Sequence, residues 1–198
     1  MNTAARLRRG VVVTEFKLAC TFTFLEENKR NLLLNPYIST ENKDMDDVLI
    51  RPIRNDDALE IERLYNRSAE HLRSLGDETD FRFNAQYFQR DGFGENTAFS
   101  GFCASIEGKL VGYLIYTFSY DTDKAIRYLD VLDLLVDKVM RNRGIGKSLM
   151  KHAANYCREK GGTELFWAVY GKNGSALKFY SSLGAEEIAD LRFMRLMA

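Results

Sequence analysis

From residue 48 onward, apolar and polar positions alternate regularly enough to assign elements. Val48-Leu-Ile-Arg-Pro52-Ile is short, apolar and interrupted by a proline that cannot donate to a sheet ladder, which predicts a strand near its end. Asp56 then opens a helical period in which Ala58, Ile61, Leu64, Tyr65 and Leu72 recur on one face. A second, short helix is predicted over 84–90, broken by Asp91-Gly92-Phe93-Gly94-Glu95. Two β-rich runs follow, 98–106 and 110–119, joined by Glu107-Gly108-Lys109 with a glycine where positive φ is wanted, the spacing of a hairpin. The apolar run 126–136 predicts a central strand.

The second half reads as helix, strand, helix, strand. A helix over 148–160 carries Leu149, Ala153, Tyr156 and Cys157 on one face, and Gly161-Gly162 stops it. Residues 164–170 read as a buried strand. Residues 173–183 form a helix with Ala176, Phe179, Tyr180 and Leu183 inward, ended by Gly184, and 191–196 closes with an alternating pattern. A meander feeding a strand–helix–strand crossover makes one α/β sheet of mixed direction. The first 46 residues hold no sustained period. They read as an extension with marginal structure, joined through the polar link 42–47 to a domain spanning 47–198; an extra strand at 11–18 is the alternative.

Composition narrows the field. The 198 residues fit one domain with an appendage, and 45% hydrophobic with 12% aromatic residues supply a core, which excludes wholesale disorder. Lys+Arg and Asp+Glu both number 28, so no whole-chain field draws in a nucleic acid or a membrane surface, and neither is expected as a partner. Cys20, Cys103 and Cys157 lack CxxC spacing and the histidines are only His71 and His152, so neither a disulfide framework nor a metal site is expected. The apolar stretch 18–25 follows Glu15 and Lys17 and falls far short of the roughly 20 residues that span a bilayer. A cytoplasmic location is the expectation; Arg6, Arg8 and Arg9 leave a mitochondrial presequence as the alternative.

The most informative stretch is Arg141-Asn142-Arg143-Gly144-Ile145-Gly146-Lys147-Ser148, placed between a strand and a helix. Such a loop aims backbone N–H groups at an anion, the helix dipole adds to the attraction, and the basic side chains extend its reach. A tight turn with solvated basic residues explains the same letters. Two nucleotide motifs fail here. The first glycine of a Walker loop falls on Arg141, and the last small residue of a dinucleotide fingerprint falls on Leu149.

Arg141-x-x-Gly144-x-Gly146 resembles the pyrophosphate-binding pattern of the GNAT N-acetyltransferase superfamily. About 30 residues on, Asn173-x-x-Ala176-x-x-Phe179-Tyr180-x-x-x-Gly184 resembles the family's second signature. The resemblance covers roughly 48–198. It implies a mixed, mostly antiparallel sheet with helices on both faces and a parallel central βαβ pair. Within the superfamily, Asp91-Gly-Phe-Gly94-Glu95, Tyr116-Thr-Phe-Ser-Tyr120-Asp121 and the segments 128–136 and 191–196 look like the diamine (polyamine) and thialysine acetyltransferases.

That likeness implies an acyltransferase moving an acetyl group from acetyl-CoA, as co-substrate, to a primary amine of a small molecule by direct attack in a ternary complex. It also implies a homodimer. The amides of Asn142, Arg143, Gly144, Ile145, Gly146 and Lys147, with Arg141 and Ser148, would grip the diphosphate. Main-chain groups of Leu134, Leu135 and Val136 would pair with the pantetheine arm, and Asn173 counts with the same site. Tyr180, seven residues after Asn173 and so on the same helical face, matches the family's acid; a helix cap for Asn173 and a core role for Tyr180 are the alternative.

One departure concerns the base. The related polyamine enzymes carry a Glu followed by an Asp and two apolar residues, and the aligned tetrad here is Leu132-Asp133-Leu134-Leu135. Strand parity puts Asp130, Leu132 and Leu134 on one face and Asp133 on the other, so Asp130 becomes the candidate base, acting through a water. A structural role for Asp130, or proton relay by bulk water alone, are the other readings. Asp121 and Asp133, with Tyr120 as a cation–π partner, are the candidate acceptor-binding residues. Acetylation of a protein lysine or amino terminus, and a non-catalytic acyl-CoA-binding module, remain as rivals.

Overall fold

The computed structural model describes residues 48–189 and 194–197. The expectations for residues 1–46 and for the first half of the closing alternating segment, 191–193, lie outside the described residues. The described chain runs β1 (Leu49–Pro52), a 3-10 turn (Asn55–Asp57), α1 (Ala58–Ser74), α2 (Ala85–Phe93), β2 (Ser100–Ile106), β3 (Lys109–Asp121) and β4 (Ile126–Val136). It continues with a second 3-10 turn (Lys138–Met140), α3 (Ile145–Glu159), β5 (Gly162–Phe166) and α4 (Gly174–Ser182).

The five strands form one sheet in the order β1-β2-β3-β4-β5. Neighbours are antiparallel except β4 and β5, which α3 joins as a parallel pair. The mixed, mostly antiparallel sheet expected from the sequence is therefore present. Within this sheet the middle strand is β3, and β4 lies between β3 and β5. The β2–β3 hairpin turns through Glu107 at φ 49 and Gly108 at φ 76, a left-handed pair that matches the sheet's twist.

Each sheet face has its own core. Ile61, Leu64, Phe88, Cys103, Tyr113, Ile115 and Leu135 pack together beneath α1 and α2. Phe102, Leu114, Leu129, Val131, Leu149 and Ala153 pack together on the α3 side, with Phe179 and Tyr180 of α4 against them. Full burial of one such leucine stabilises by about 1.5–3 kcal/mol, so the α3 face alone anchors the crossover. Under α1, a bidentate pair holds the first strand to the first turn: Arg51 donates to both Asp57 oxygens at 2.7 Å, and the Arg54 amide donates to Asp57 Oδ2.

Several boundaries shift from the expectation. α3 begins at Ile145, three residues before 148, because Gly144 at φ 80 turns the chain straight into the helix. α2 continues through Asp91 and Gly92 to Phe93, its amides still reaching the carbonyls behind them. β5 ends at Phe166 rather than running to 170, since its ladder with β4 stops there.

Two irregularities in β4 shape everything that follows. Ile115 stands opposite Asp133 and Tyr116 opposite Val131, which leaves Leu132 without a partner in the β3 ladder: a β-bulge. And β5 pairs with β4 only from Arg127 to Asp130, so the remainder of β4 has no strand on that side among the described residues.

Candidate active site

Where β4 and β5 stop pairing, a cleft of about 400 Å3 opens, lined by the end of β4, the glycine loop, the first turn of α3, α4, and Ser68 and His71 of α1. Leu134, Leu135 and Val136 line it from β4. An extended ligand arm laid against them meets a strand edge that β5 has left open.

The loop from β4 to α3 is built by local rules. Asp137 caps the 3-10 turn and is held from α1 by Arg67, whose Nη1 stands 3.0 Å from Asp137 Oδ2. Arg141 Nε donates to the Val136 carbonyl at 3.1 Å. Asn142 at φ 62 and Gly144 at φ 80 both adopt left-handed backbone. The α3 ladder begins with the Ser148 amide on the Gly144 carbonyl, and no side chain caps the helix at Gly144. The amides of Ile145 and Gly146 therefore precede the ladder, at the positive end of the helix dipole. Gly146 packs tightly: a Cβ there would stand 3.2 Å from the Phe179 ring. Backbone donors, helix dipole and a glycine floor fit a diphosphate. Arg141, Asn142, Gly144, Ile145, Gly146 and Lys147 all line the cleft, whereas Arg143 and Ser148 stand in the same loop and first turn outside its lining.

α4 forms the opposite wall. Asn173 Oδ1 accepts from the Ala176 amide at 3.2 Å and from Ser175 Oγ at 2.9 Å, so this residue caps α4 while also lining the cleft. Tyr180, nearly two turns on, lines the same cleft with its ring 4.9 Å from that of Trp167. Burial and the negative charge of Asp133 push the Tyr180 phenol up to about 12, so it holds its proton at neutral pH and can donate it.

The carboxylates fall differently from the parity expectation. Leu129 and Val131 belong to the α3-side core, so Asp130 between them faces the α1 side. The bulge at Leu132 resets the alternation, so that after it Leu134 and Val136 take the α3 side. Asp133 is thereby returned to the α1 side, where the buried Tyr113 donates to its Oδ2 at 2.6 Å. Asp130 and Asp133 thus share a face, against the assignment of opposite faces. A one-residue insertion inverts every side chain beyond it. Leu132 itself is 52% exposed.

Burial raises the Asp133 carboxyl, with the Tyr113 hydroxyl and the Leu134 amide working against that rise. Burial alone raises Asp130, which lies outside the cleft lining. Tyr120 and Asp121 sit at the far end of the β3–β4 hairpin, opposite Arg127 and Ile126, roughly 20 Å along the strand from Leu134. Asp121 there accepts the amides of Asp123 and Lys124, a turn-forming role. Within one chain the structure does not bring Tyr120 and Asp121 to the cleft. Ser68, His71 and Tyr113 were not singled out in the sequence. Their signal was faint: polar residues continuing the sheet-facing stripe of α1, and one tyrosine among the many apolar residues of β3.

Among the described residues, no group of three or more His, Cys, Asp or Glu side chains is placed to hold a metal ion. No helix among them is long and apolar enough to cross a membrane.

Residues 58–185 match the family described as "Acetyltransferase (GNAT) family". The chain belongs to the GNAT acetyltransferase family. As a GNAT protein it is an acyltransferase, and it resembles thialysine N-epsilon-acetyltransferases. It is 32% identical to that of Bos taurus over 151 residues, covering 72% of this chain and 86% of the relative. It is 31% identical to that of Mus musculus over 149 residues, covering 71% and 85%. Among solved structures, an integron cassette protein from the mobile metagenome of V. cholerae superposes with a TM-score of 0.65 at 25% identity, over 77% of this chain and 93% of that one.

Proposed function

We propose that this GNAT enzyme transfers an acetyl group from acetyl-CoA to the primary amine of a small cationic molecule of the thialysine or polyamine kind. The observation that carries the reading is a single cleft joining an uncapped helix start after a glycine loop, an open β4 edge and a protonated tyrosine. The amides at the start of α3 hold the diphosphate, and the main chain of residues 134–136 holds the pantetheine arm. This placement sets the thioester beside Tyr180, whose hydroxyl donates to the departing sulfur. The relatives' own names supply thialysine, and the polyamine alternative rests on the sequence resemblance.

The acceptor nitrogen must lose a proton before it attacks. An alkylammonium of pKa about 10.4 is neutral to only about 1 part in 2,500 at pH 7, a cost of roughly 4–5 kcal/mol. A carboxylate beside the cleft offsets it.

The test is thiol release from acetyl-CoA with thialysine, lysine, spermidine, spermine, diaminopropane and a lysine-containing peptide. Release with the small amines alone is the expected outcome. Release with the peptide alone makes this a protein acetyltransferase. Binding of acetyl-CoA without release in any arm makes it a non-catalytic module, as the exposed Leu132 would suit.

A further inference from the structure

Asp133 accepts a hydrogen bond from one phenol, and its charge acts on two more. Tyr113 of β3 is fully buried and spends its hydroxyl on Asp133 Oδ2 at 2.6 Å. Tyr65 of α1 and Tyr180 of α4 both feel the Asp133 charge, which raises each of them beyond the effect of burial. Tyr180 lines the cleft, and so does Ser68, one turn beyond Tyr65 on α1. Asp133 directly precedes the lining residue Leu134 on β4, and it is only partly buried.

Resting on the acetyl transfer proposed above, we infer that Asp133 is the group that takes the proton from the acceptor ammonium, with Tyr113 as the residue that positions it. Three observations assemble this role. The bulge turns Leu132 out with an apolar side chain that cannot accept a proton, and in the same step turns Asp133 to the α1 side. The Tyr113 hydroxyl donates to Asp133 Oδ2 and holds the carboxylate's orientation. Neither Asp130 nor Asp133 is in the cleft lining, but Asp133 directly precedes Leu134, which is, whereas Asp130 lies three residues further back.

The proton and electron pairs balance as follows. Asp133 takes one proton from the ammonium, and the nitrogen lone pair forms the N–C bond to the thioester carbonyl. The C–S bond breaks, and the sulfur takes the Tyr180 proton. The amide nitrogen returns a proton to the Tyr180 phenolate, and Asp133 gives its own to water. One proton is released for each amide formed.

The titratable groups around Asp133 are Tyr113 of β3, bonded to it, Tyr65 of α1 and Tyr180 of α4, which its charge acts on, and Asp130 on its own face of β4, while His71 of α1 lines the neighbouring cleft. Burial lifts the carboxyl toward neutrality, which matches a base to its task better than an ordinary aspartate. Removing the Tyr113 hydroxyl removes an interaction that favours the charged form, so the folded carboxyl should rise further.

The experiment is the pH profile of kcat/KM and kcat for wild type, Asp133→Asn and Tyr113→Phe, using whichever amine the wild-type enzyme acetylates. Asp133→Asn should cut kcat at pH 7 by about 10²–10³-fold, and its residual rate should climb tenfold per pH unit toward the amine's own pKa. Tyr113→Phe should lower kcat at pH 7 and move the acid limb to higher pH. If Asp133→Asn raises KM alone with kcat and limb intact, Asp133 only attracts the cation and the inference is overturned. It is overturned too if Tyr113→Phe leaves the limb in place, a result that survives even if the asparagine variant fails to fold. A wild-type enzyme inactive with every amine overturns the functional reading itself and this inference with it.

Discussion

Gly146 and Phe179 approach so closely that a Cβ on the glycine would lie 3.2 Å from the ring, which joins the first turn of α3 to the middle of α4. Two opposed effects then act on Gly146→Ala. Alanine in a helix is favoured over glycine by about 0.8–1 kcal/mol, which offsets the few tenths of an ångström that Phe179 must give. Stability should change by less than about 1 kcal/mol in urea titration, while calorimetry should show CoA binding weakened by about tenfold. Gly146→Val should weaken binding further, because the branched side chain adds bulk at the point of contact. Unchanged CoA affinity in both variants would mean that the diphosphate does not lie against this turn.

Gly144 is a different case, since its φ of 80 is the constraint rather than the space around it. Gly144→Ala should cost about 1–2 kcal/mol, the usual penalty for an L-residue forced left-handed. The midpoint of thermal unfolding reads this directly. CoA affinity should fall as well, because the loop that aims the α3 amides starts here.

Tyr180→Phe should lower kcat by about 10²-fold, within the usual range for a positioned general acid. CoA affinity should stay within about twofold, because the proposed diphosphate contacts lie at the other wall. Since the wild-type phenol titrates near 12, it should impose no alkaline limb on the rate below about pH 11. Equal losses in turnover and binding would instead mark Tyr180 as a packing residue.

The Arg51–Asp57 pair should appear as a pH-dependent part of stability. Burial alone would raise the Asp57 carboxyl, but the Arg51 guanidinium and the Arg54 amide outweigh it and hold the group below its ordinary 3.8. A depressed folded value means the stabilisation is present above about pH 4 and is lost as pH falls through the folded value. Arg51→Leu leaves a carboxylate of 8% exposure without its cation and should cost about 3 kcal/mol at pH 6. The gap from wild type should narrow at pH 3 and below, as measured by urea midpoints. A constant gap across that range would locate the effect in packing rather than charge.

The local parts of this protein were legible in its letters. The α1 stripe, the hairpin glycine, the uncapped glycine loop and the Asn173 cap each depend on neighbours a few residues away, and the structure reproduces them. The two family signatures belong to this class too, because a diphosphate is held by a contiguous loop and a helix start. The placement of the carboxylates was not legible. Alternation along β4 taken alone puts Asp133 opposite Asp130, and only the pairing with β3 exposes the unpartnered Leu132.

The sequence by itself determined the family, the elements and the glycine turn into α3, since each is written in short-range periodicity and glycine spacing. Tertiary structure alone decided which face Asp133 occupies, that Tyr113 holds it, and that β5 leaves β4 at Asp130 to open the cleft. The reason is physical: a bulge and a splayed strand pair are properties of the register between strands, set by how two ladders meet rather than by the pattern of either strand.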